Sequence, residues 1–370
     1  MTRTSGQATI IEVAKEAGVS TATAARALGN YGPVKPSTRD KVVKAADKLN
    51  YRPNELARSM ITGKTKSIGV VCGDVYNPFF AGILRGITDV ATERGYTVLI
   101  ANSDEEWAKE IAAVRTLSAS GVDGIIVSPA EPNRVEHLVN WSGKDKPVTL
   151  IDRASATFST DAVVVDGPQA VHDVLLRLFE LGHERVAIVG EFRSAEELER
   201  VLSLNARGLE KLDVFTLSPS AARLVGYLRA HAQNGKQVDA SLIIRAGSYS
   251  LQGAQIATTE VLSGSNTRPS ALVTTDNVMS LGAYRAVLAA GLRIPEQLSF
   301  IGFDNQDWTE LVDPPISVID QPSHSMGRAA ANVLIERISG NQGEPQILRA
   351  HTSYIERASV APPAPEPVPQ

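Results

Sequence analysis

Side chains that grip hydroxyl groups recur at the ends of short apolar runs in this 370-residue sequence. Asp74, Asn77, Phe79 and Phe80 follow "SIGVVCGDV", Ser128 closes "GVDGIIVSP", and Asp152 and Arg153 close "PVTLIDR". Arg223 stands in "SAARLVGY", Tyr249 follows "DASLIIRAG", Thr275 and Asp276 end "SALVTTDN", Asp304 ends "LSFIGFDN", and Gln321 stands in "IDQPS". Carboxylates, guanidinium groups and amides are planar and make forked hydrogen bonds to adjacent hydroxyls, while aromatic rings cover the apolar faces of a pyranose or furanose. One aspartate at a strand end is commonly no more than a helix cap. Together, these residues have the composition of a sugar-binding site.

The elements that must position them alternate. Apolar runs of strand length are separated by helical patterns near Phe80 to Arg94, Trp107 to Ser120 and Val135, and a second such succession begins near Asp161. Repeated βαβ units imply a mostly parallel, doubly wound sheet in each of two lobes. Two such lobes place the C-terminal ends of their strands around a shared cleft, where open α/β sheets bind ligands. The stretch from Glu191 to Leu217 adds a further helical pattern, "SAEELERVLSLNARGLEKL", which reads as a surface addition or a contact with another subunit or partner.

Catalytic and metal chemistry find little support. The six histidines are scattered without ligand spacing, no P-loop or GxGxxG is present, and His183 in "LGHERVAIVG" reads as structural. The single cysteine, Cys72, lies in an apolar run and reads as packing. A non-enzyme without cofactor or metal is therefore expected.

Charge separates a head from this body. Residues 1–66 carry twelve Lys/Arg against five Asp/Glu, an excess of +7, which leaves −11 on the rest of a chain whose net charge is −4. A basic head on an acidic body points to a polyanion met by the head alone. Within it, "ATIIEVAKEAG" puts Ile10, Val13, Ala14 and Ala17 on one helical face, with Thr9 and Glu12 spaced as a capping box and Gly18 as the stop. Ser20 caps a second helix after a turn of about three residues, the connection of a helix-turn-helix. A third helix is expected with Ser37 as its cap and Val42, Val43, Ala46 and Leu49 as its apolar stripe. On the second helix Ala24, Ala27 and Leu28 face inward, leaving Thr21, Ala22, Ala25 and Arg26 outside. Small outward residues let a helix backbone sink into the DNA major groove, and Arg26 has the reach to grip a guanine edge with both nitrogens.

At these residues the head resembles the lactose repressor (LacI/GalR) family of bacterial transcription regulators, through "TIIEVAKEAGVSTATAARAL" and "VKPSTRDKVVKAADKLNYRPNELARS". The resemblance implies that Thr21, Ala22 and Arg26 read bases and that Ser20, Thr23, Tyr51 and Asn54 contact phosphates, with Thr9 on the same DNA-binding surface. Ala25 stands where the family has a serine, so one phosphate contact is missing and specificity leans on Arg26 and DNA shape. "NELARSMITGKTKS" implies a hinge helix that folds on paired operator half-sites, with Met60 as the apolar wedge in the minor groove. The body resembles periplasmic sugar-binding proteins of the ribose-binding type. By that likeness Asn77, Phe79, Phe80, Asp152, Arg153, Arg223, Tyr249 (for a phenylalanine), Asp304 and Gln321 contact ligand, and Ser128 and Thr275 stand where that type has asparagine.

The expected organisation is α/β: a helix-turn-helix DNA-binding domain at 8–53, a hinge at 54–65, a two-lobed effector-binding and dimerisation domain at 66–360, and a disordered tail at 361–370. The implied partners are a pseudo-palindromic double-stranded operator, a small sugar such as ribose or a related pentose or hexose, and a second copy of the chain. A nucleoside effector is the alternative within the family, and a cytoplasmic sugar sensor without operator binding is the alternative outside it. No signal-peptide pattern or membrane-length apolar run is found, so a cytoplasmic protein without membrane contact is expected.

Overall fold

The computed structural model describes residues 8–29, 32–51, 63–142, 146–264 and 268–364. The chain packs as two units, one comprising the residues up to Ser67 together with Gly121–Asp123, the other comprising Ile68–Ser120 and the chain from Gly124 onward.

In the first unit α1 (Ile10–Ala17), α2 (Thr21–Gly29) and α3 (Pro36–Lys48) enclose a small core of Val13, Ala14, Ala24, Ala27, Val42, Ala45 and Ala46. The capping box at α1 forms as its spacing requires: Thr9 N–H donates to Glu12 Oε2 at 2.7 Å, and Glu12 N–H donates to Thr9 Oγ1 at 3.3 Å. Gly18 closes that helix at φ 67°, a left-handed conformation that glycine adopts without steric cost. Alanines at the helix contacts let three short helices approach closely enough to exclude water. Two expectations for α3 are corrected. Its cap is Lys35, which makes no side-chain bond, because Pro36, with its fixed φ and missing N–H, suits the first helical position and shifts Ser37 inside the first turn. Ala45 is buried and Val43 exposed, so the inward face is rotated from the expected stripe.

In the second unit, one sheet has the order β11-β5-β4-β3-β1-β2 and the other β12-β10-β9-β8-β6-β7. The first sheet contains β1 (Ser67–Cys72), β2 (Thr97–Asn102), β3 (Ile125–Val127), β4 (Val148–Asp152), β5 (Asp161–Val165) and β11 (Ile347–Ala350). Its helices are α4 (Pro78–Glu93), α5 (Trp107–Ala119), α6 (Glu136–Ser142) and α14 (Ser323–Ile338). The second sheet contains β6 (Val186–Gly190), β7 (Ile243–Arg245), β8 (Ala271–Thr274), β9 (Ser299–Phe303), β10 (Ser317–Asp320) and β12 (Ser353–Ile355). Around it lie α7 (Gly167–Glu180), α8 (Ala195–Leu202), α9 (Ala206–Lys211), α10 (Pro219–Gln233), α11 (Leu251–Leu262), α12 (Asn277–Ala289) and α13 (Asp307–Leu311).

Interior strands such as β1, β6 and β9 are buried along their whole length, as strands of a parallel sheet covered on both faces must be, whereas the edge strand β2 is partly exposed. Small residues set the helix crossings: a Cβ on Gly86 of α4 would lie 2.1 Å from the His324 carbonyl oxygen of α14, and one on Gly327 would lie 2.1 Å from that of Ile83. The chain crosses between lobes three times, at 165–167, 320–323 and 350–353.

Three features differ from the sequence reading. The strand at Asp161 does not open the second lobe; it pairs in parallel with β4, and its Asp161 carboxylate is gripped by both Nε (2.6 Å) and Nη2 (2.9 Å) of Arg337 on α14. The segment 191–217 is integral to the second lobe, since Val201, Leu209, Val214 and Leu217 enter its core. The tail does not loosen at 361, because the Ala361 carbonyl accepts from Ser299 Oγ and lies 2.9 Å from His183 Nε2, while its N–H donates to Ser299 Oγ. His183 thus holds the chain at Ala361, and Cys72 is buried with its thiol pushed up to about 11 by burial. Among the described residues, no helix is long and apolar enough to cross a membrane and no His/Cys/Asp/Glu group could hold a metal ion.

Candidate functional site

Two surfaces gather the residues singled out by the sequence. On the head, Thr21, Ala22 and Arg26 are exposed along α2, with Ala25 half-buried beside them. Ser20 accepts from the Thr23 N–H at 3.1 Å and its hydroxyl lies 2.8 Å from that of Thr23, so both hydroxyls sit at the positive end of the helix. Thr9 serves the cap of α1, and Tyr51 packs half-buried against the head core. Gly32 lies against the aliphatic stem of Arg26, where an added Cβ would be 3.4 Å from its Cδ. Asn54 and Met60 lie outside the described residues.

In the body, the C-terminal ends of the parallel strands converge on a cleft between the two lobes. From the first lobe come Asp74, Asn77, Phe79, Phe80, Glu105, Asp152 and Arg153; from the second come Glu191, Arg193, Pro219, Ser220, Arg223, Tyr249, Asp276, Asp304 and Gln321. Asn77 caps α4, accepting from the Phe79 N–H at 3.0 Å, and this turn presents Phe79 and Phe80 edge to face with centroids 5.3 Å apart. Asn77 also bridges the lobes, donating to Tyr249 Oη and accepting from Asn277 Nδ2, each at 2.8 Å. Arg193 Nη1 donates across to the Glu105 carbonyl at 3.3 Å. Arg223, near the start of α10, donates to the Thr275 carbonyl and to Gln321 Oε1 (3.0 Å), with its guanidinium 4.0 Å above the Phe303 ring. Gln321 in turn donates to Asp304 Oδ1 at 2.6 Å. Asp152 and Asp304 both hold left-handed backbones, at φ 71° and 66°, which turn their side chains at the strand ends.

Burial dominates the electrostatics. Arg153 meets Glu105 at 2.8 Å and Asp152 at 3.4 Å; burial acts to discharge it, but the two carboxylates outweigh that and hold it above its ordinary pKa. Burial likewise raises the carboxyls of Asp152, Asp304 and Glu191, opposed by Arg153 and Arg223 at Asp152, by Gln321 at Asp304, and by Arg193 at Glu191. Asp276 is pushed by burial up to about 7, even though it accepts N–H bonds from Val278 and Met279 at 2.9 Å as the cap of α12. A carboxyl raised in the folded state favours folding while protonated, and that contribution disappears as pH climbs from its unfolded value near 3.8 to about 7. Asp276→Asn should therefore lose less stability than wild type between pH 5 and 8. Thermal melts of both proteins across that range check it, and parallel pH profiles would refute it.

Eleven of the thirteen residues singled out as a sugar-binding set line this cleft; Ser128 and Thr275 do not. Ser128 is fully buried just beyond β3, its N–H bonded to the Val71 carbonyl. Thr275 turns its hydroxyl to Asp276 Oδ2 at 3.2 Å and offers only its carbonyl, to Arg223, so it positions residues of the cleft without lining it. The sequence reading missed Glu105, Glu191, Arg193 and Ser220. Glu105 and Glu191 follow β2 and β6 and were accessible to the same strand-end rule, but the first sits in an acidic run that resembles a solvated turn and the second opens the segment read as a surface addition. Ser220 is 2% exposed, and its hydroxyl has no partner.

Comparison with known proteins finds matches for both the head and the body. Residues 9–54 match the lacI family of bacterial regulatory proteins, residues 68–171 a periplasmic binding protein domain, and residues 175–360 a periplasmic binding protein-like domain. Catabolite control protein A of Priestia megaterium is 32% identical over 88% of this chain and 91% of its own length. The crystal structure of a LacI family transcriptional regulator from Enterococcus faecium with bound ribose is 26% identical, with a TM-score of 0.65 covering 80% of this chain and 99% of that one. The lac repressor dimer bound to operator and the anti-inducer ONPF, 22% identical, shares the fold with a TM-score of 0.79 over 96% of this chain and all of that one.

Proposed function

Because this chain belongs to the lacI family of bacterial regulatory proteins and is a transcriptional regulator, we propose that its body binds a small sugar and that this binding sets the affinity of its head for an operator. The observation that carries the reading is the cleft itself, where carboxylates, guanidinium groups and an amide surround the edge-to-face pair Phe79 and Phe80. Forked polar groups select hydroxyl pairs and the rings take the apolar sugar face. The Enterococcus faecium regulator with bound ribose supports a sugar as the ligand.

In this reading residues 8–53 bind DNA, 54–65 form the connecting hinge with Asn54 and Met60 on the DNA, and 66–360 bind effector and form a homodimer. Arg26 reads base edges, Thr21 and Ala22 lie against them, and Ser20, Thr23, Tyr51 and Thr9 serve the backbone. A two-fold dimer calls for a pseudo-palindromic site. Effector joins residues of both lobes, so it favours one lobe arrangement over another; a differential of about 1 to 3 kcal/mol is enough to change operator affinity roughly 5- to 150-fold. Calorimetric titration with pentoses, hexoses, disaccharides and nucleosides tests the cleft. One saturating site per chain for a saccharide, lost in Arg223→Ala, is expected; saturation by a nucleoside alone, or binding unchanged in Arg223→Ala, would overturn the sugar reading.

A further inference from the structure

The direction of Arg153 in the cleft is set from outside it. Its Nη1 donates to the Pro129 carbonyl at 2.8 Å, its Nη2 meets Glu105 at 2.8 Å, and its Nε faces Asp152 at 3.4 Å. A guanidinium is a planar fork, and its plane is fixed when donors on different nitrogens are held by separate partners. The two carboxylates balance the charge of Arg153, and the Pro129 carbonyl supplies the neutral bond that sets its orientation.

The Pro129–Ala130 turn follows β3 and is held from behind by α5. Ala130 N–H donates to Glu110 Oε2 at 2.6 Å, and His137 Nε2 lies 2.6 Å from Glu110 Oε1; a carboxylate only accepts, so this nitrogen donates. Three residues earlier on the same helical face, Trp107 gives its indole N–H to the Arg134 carbonyl at 2.8 Å. The segment 130–137 is thereby strapped to α5 at three points, two of them on Glu110.

Glu110 is fully buried, and neither it nor His137 lines the cleft. A buried charged pair is a weak source of stability, since well-packed apolar side chains of similar volume often serve folding as well or better. What the two bonds of Glu110 fix is the place of the Pro129–Ala130 turn, and with it the acceptor that orients Arg153.

We propose that Glu110 is a positioning residue of the effector site: through the Pro129–Ala130 turn it holds the Arg153 guanidinium in its ligand-binding orientation, and His137 holds Glu110. The inference rests on the cleft being the sugar site and adds a residue that acts on the ligand only through Arg153.

Three substitutions separate geometry from charge and packing. Glu110→Gln keeps the geometry without the charge: its amide oxygen accepts from Ala130 N–H, and its NH2 donates to His137 Nε2, whose tautomer is set by residue 110 because Nδ1 is buried without a hydrogen-bond partner. Glu110→Leu keeps the packing without either bond. Glu110→Asp keeps the charge but is one methylene too short to reach both partners.

The test is calorimetry and thermal melting of the full chain, titrated with D-ribose, D-xylose, D-glucose, D-galactose, maltose and cellobiose. For each sugar that saturates the wild type, Glu110→Leu and Glu110→Asp should bind about 10-fold weaker and Glu110→Gln within about threefold of wild type. All three should melt within about 5 °C of wild type, which a purely structural role would not allow alongside that pattern of affinities. Wild-type affinity in a folded Glu110→Leu or Glu110→Asp would overturn the positioning role, and Glu110→Asp alone decides if the leucine variant does not fold. Affinity that falls in Glu110→Gln but not in Glu110→Asp would make charge the operative feature and overturn it too. No saturation of the wild type by any of these sugars would instead fail the sugar reading of the cleft, and the proposal with it.

Discussion

Replacing Arg26 with alanine is expected to lower affinity for the specific operator roughly 5- to 150-fold while leaving weak, salt-sensitive binding to unrelated DNA nearly intact. Thr21 and Ala22 are short, and Arg26 is the long donor on the exposed face of α2. A bidentate arginine contact to a guanine edge is worth about 1 to 3 kcal/mol of discrimination, and no neighbour on this face of α2 replaces it. Non-specific affinity comes from phosphate neutralisation spread over the basic head, so losing one cation of twelve removes only a small part of it. Fluorescence anisotropy on operator and scrambled duplexes at one salt concentration separates the two effects. Unchanged operator affinity would show that α2 is not the reading helix.

Asp304→Asn should do the reverse, weakening effector by about 2 to 4 kcal/mol, on the order of 30- to 1000-fold, with operator binding in the absence of effector preserved. Asp304 is buried and holds Gln321, which holds Arg223, so one carboxylate orders a chain of three forked groups on the cleft wall. Asparagine tolerates the left-handed backbone at φ 66°, whereas alanine there would add strain unrelated to ligand. The asparagine variant thus isolates the loss of charge and acceptor capacity. Calorimetry with the bound saccharide checks it, and an affinity within twofold of wild type would remove Asp304 from the site.

Much of this architecture was legible because its signals are local. The Thr9 and Glu12 capping box, the short turn before Ser20 and the strand-length apolar runs each follow from a few adjacent residues, and the rule that ligands meet parallel sheets at strand ends located eleven cleft residues. The errors lie where long-range packing decides. Strand β5 joins the first sheet through pairing with β4 and through Arg337, distant in sequence, and no local pattern distinguishes that from opening a new lobe. Ser128 and Thr275 occupy strand ends, but side-chain direction there depends on backbone turns that spacing does not specify. Glu191 and Arg193 were hidden because they open a segment whose helical pattern looks solvated; burial of Val201 and Leu209 in the lobe core is what fixes that segment beside the cleft.

In the proposed mechanism, occupancy of the cleft controls the grip of the head on DNA. Anisotropy of the full-length protein on DNA from upstream of its own gene, at fixed salt, with the saccharide panel titrated in, tests it most directly. Sequence-preferring binding is expected, with an affinity that changes at least fivefold with one saccharide, in either direction, and a response that disappears in Asp304→Asn. Operator binding indifferent to every compound that saturates the cleft would contradict it.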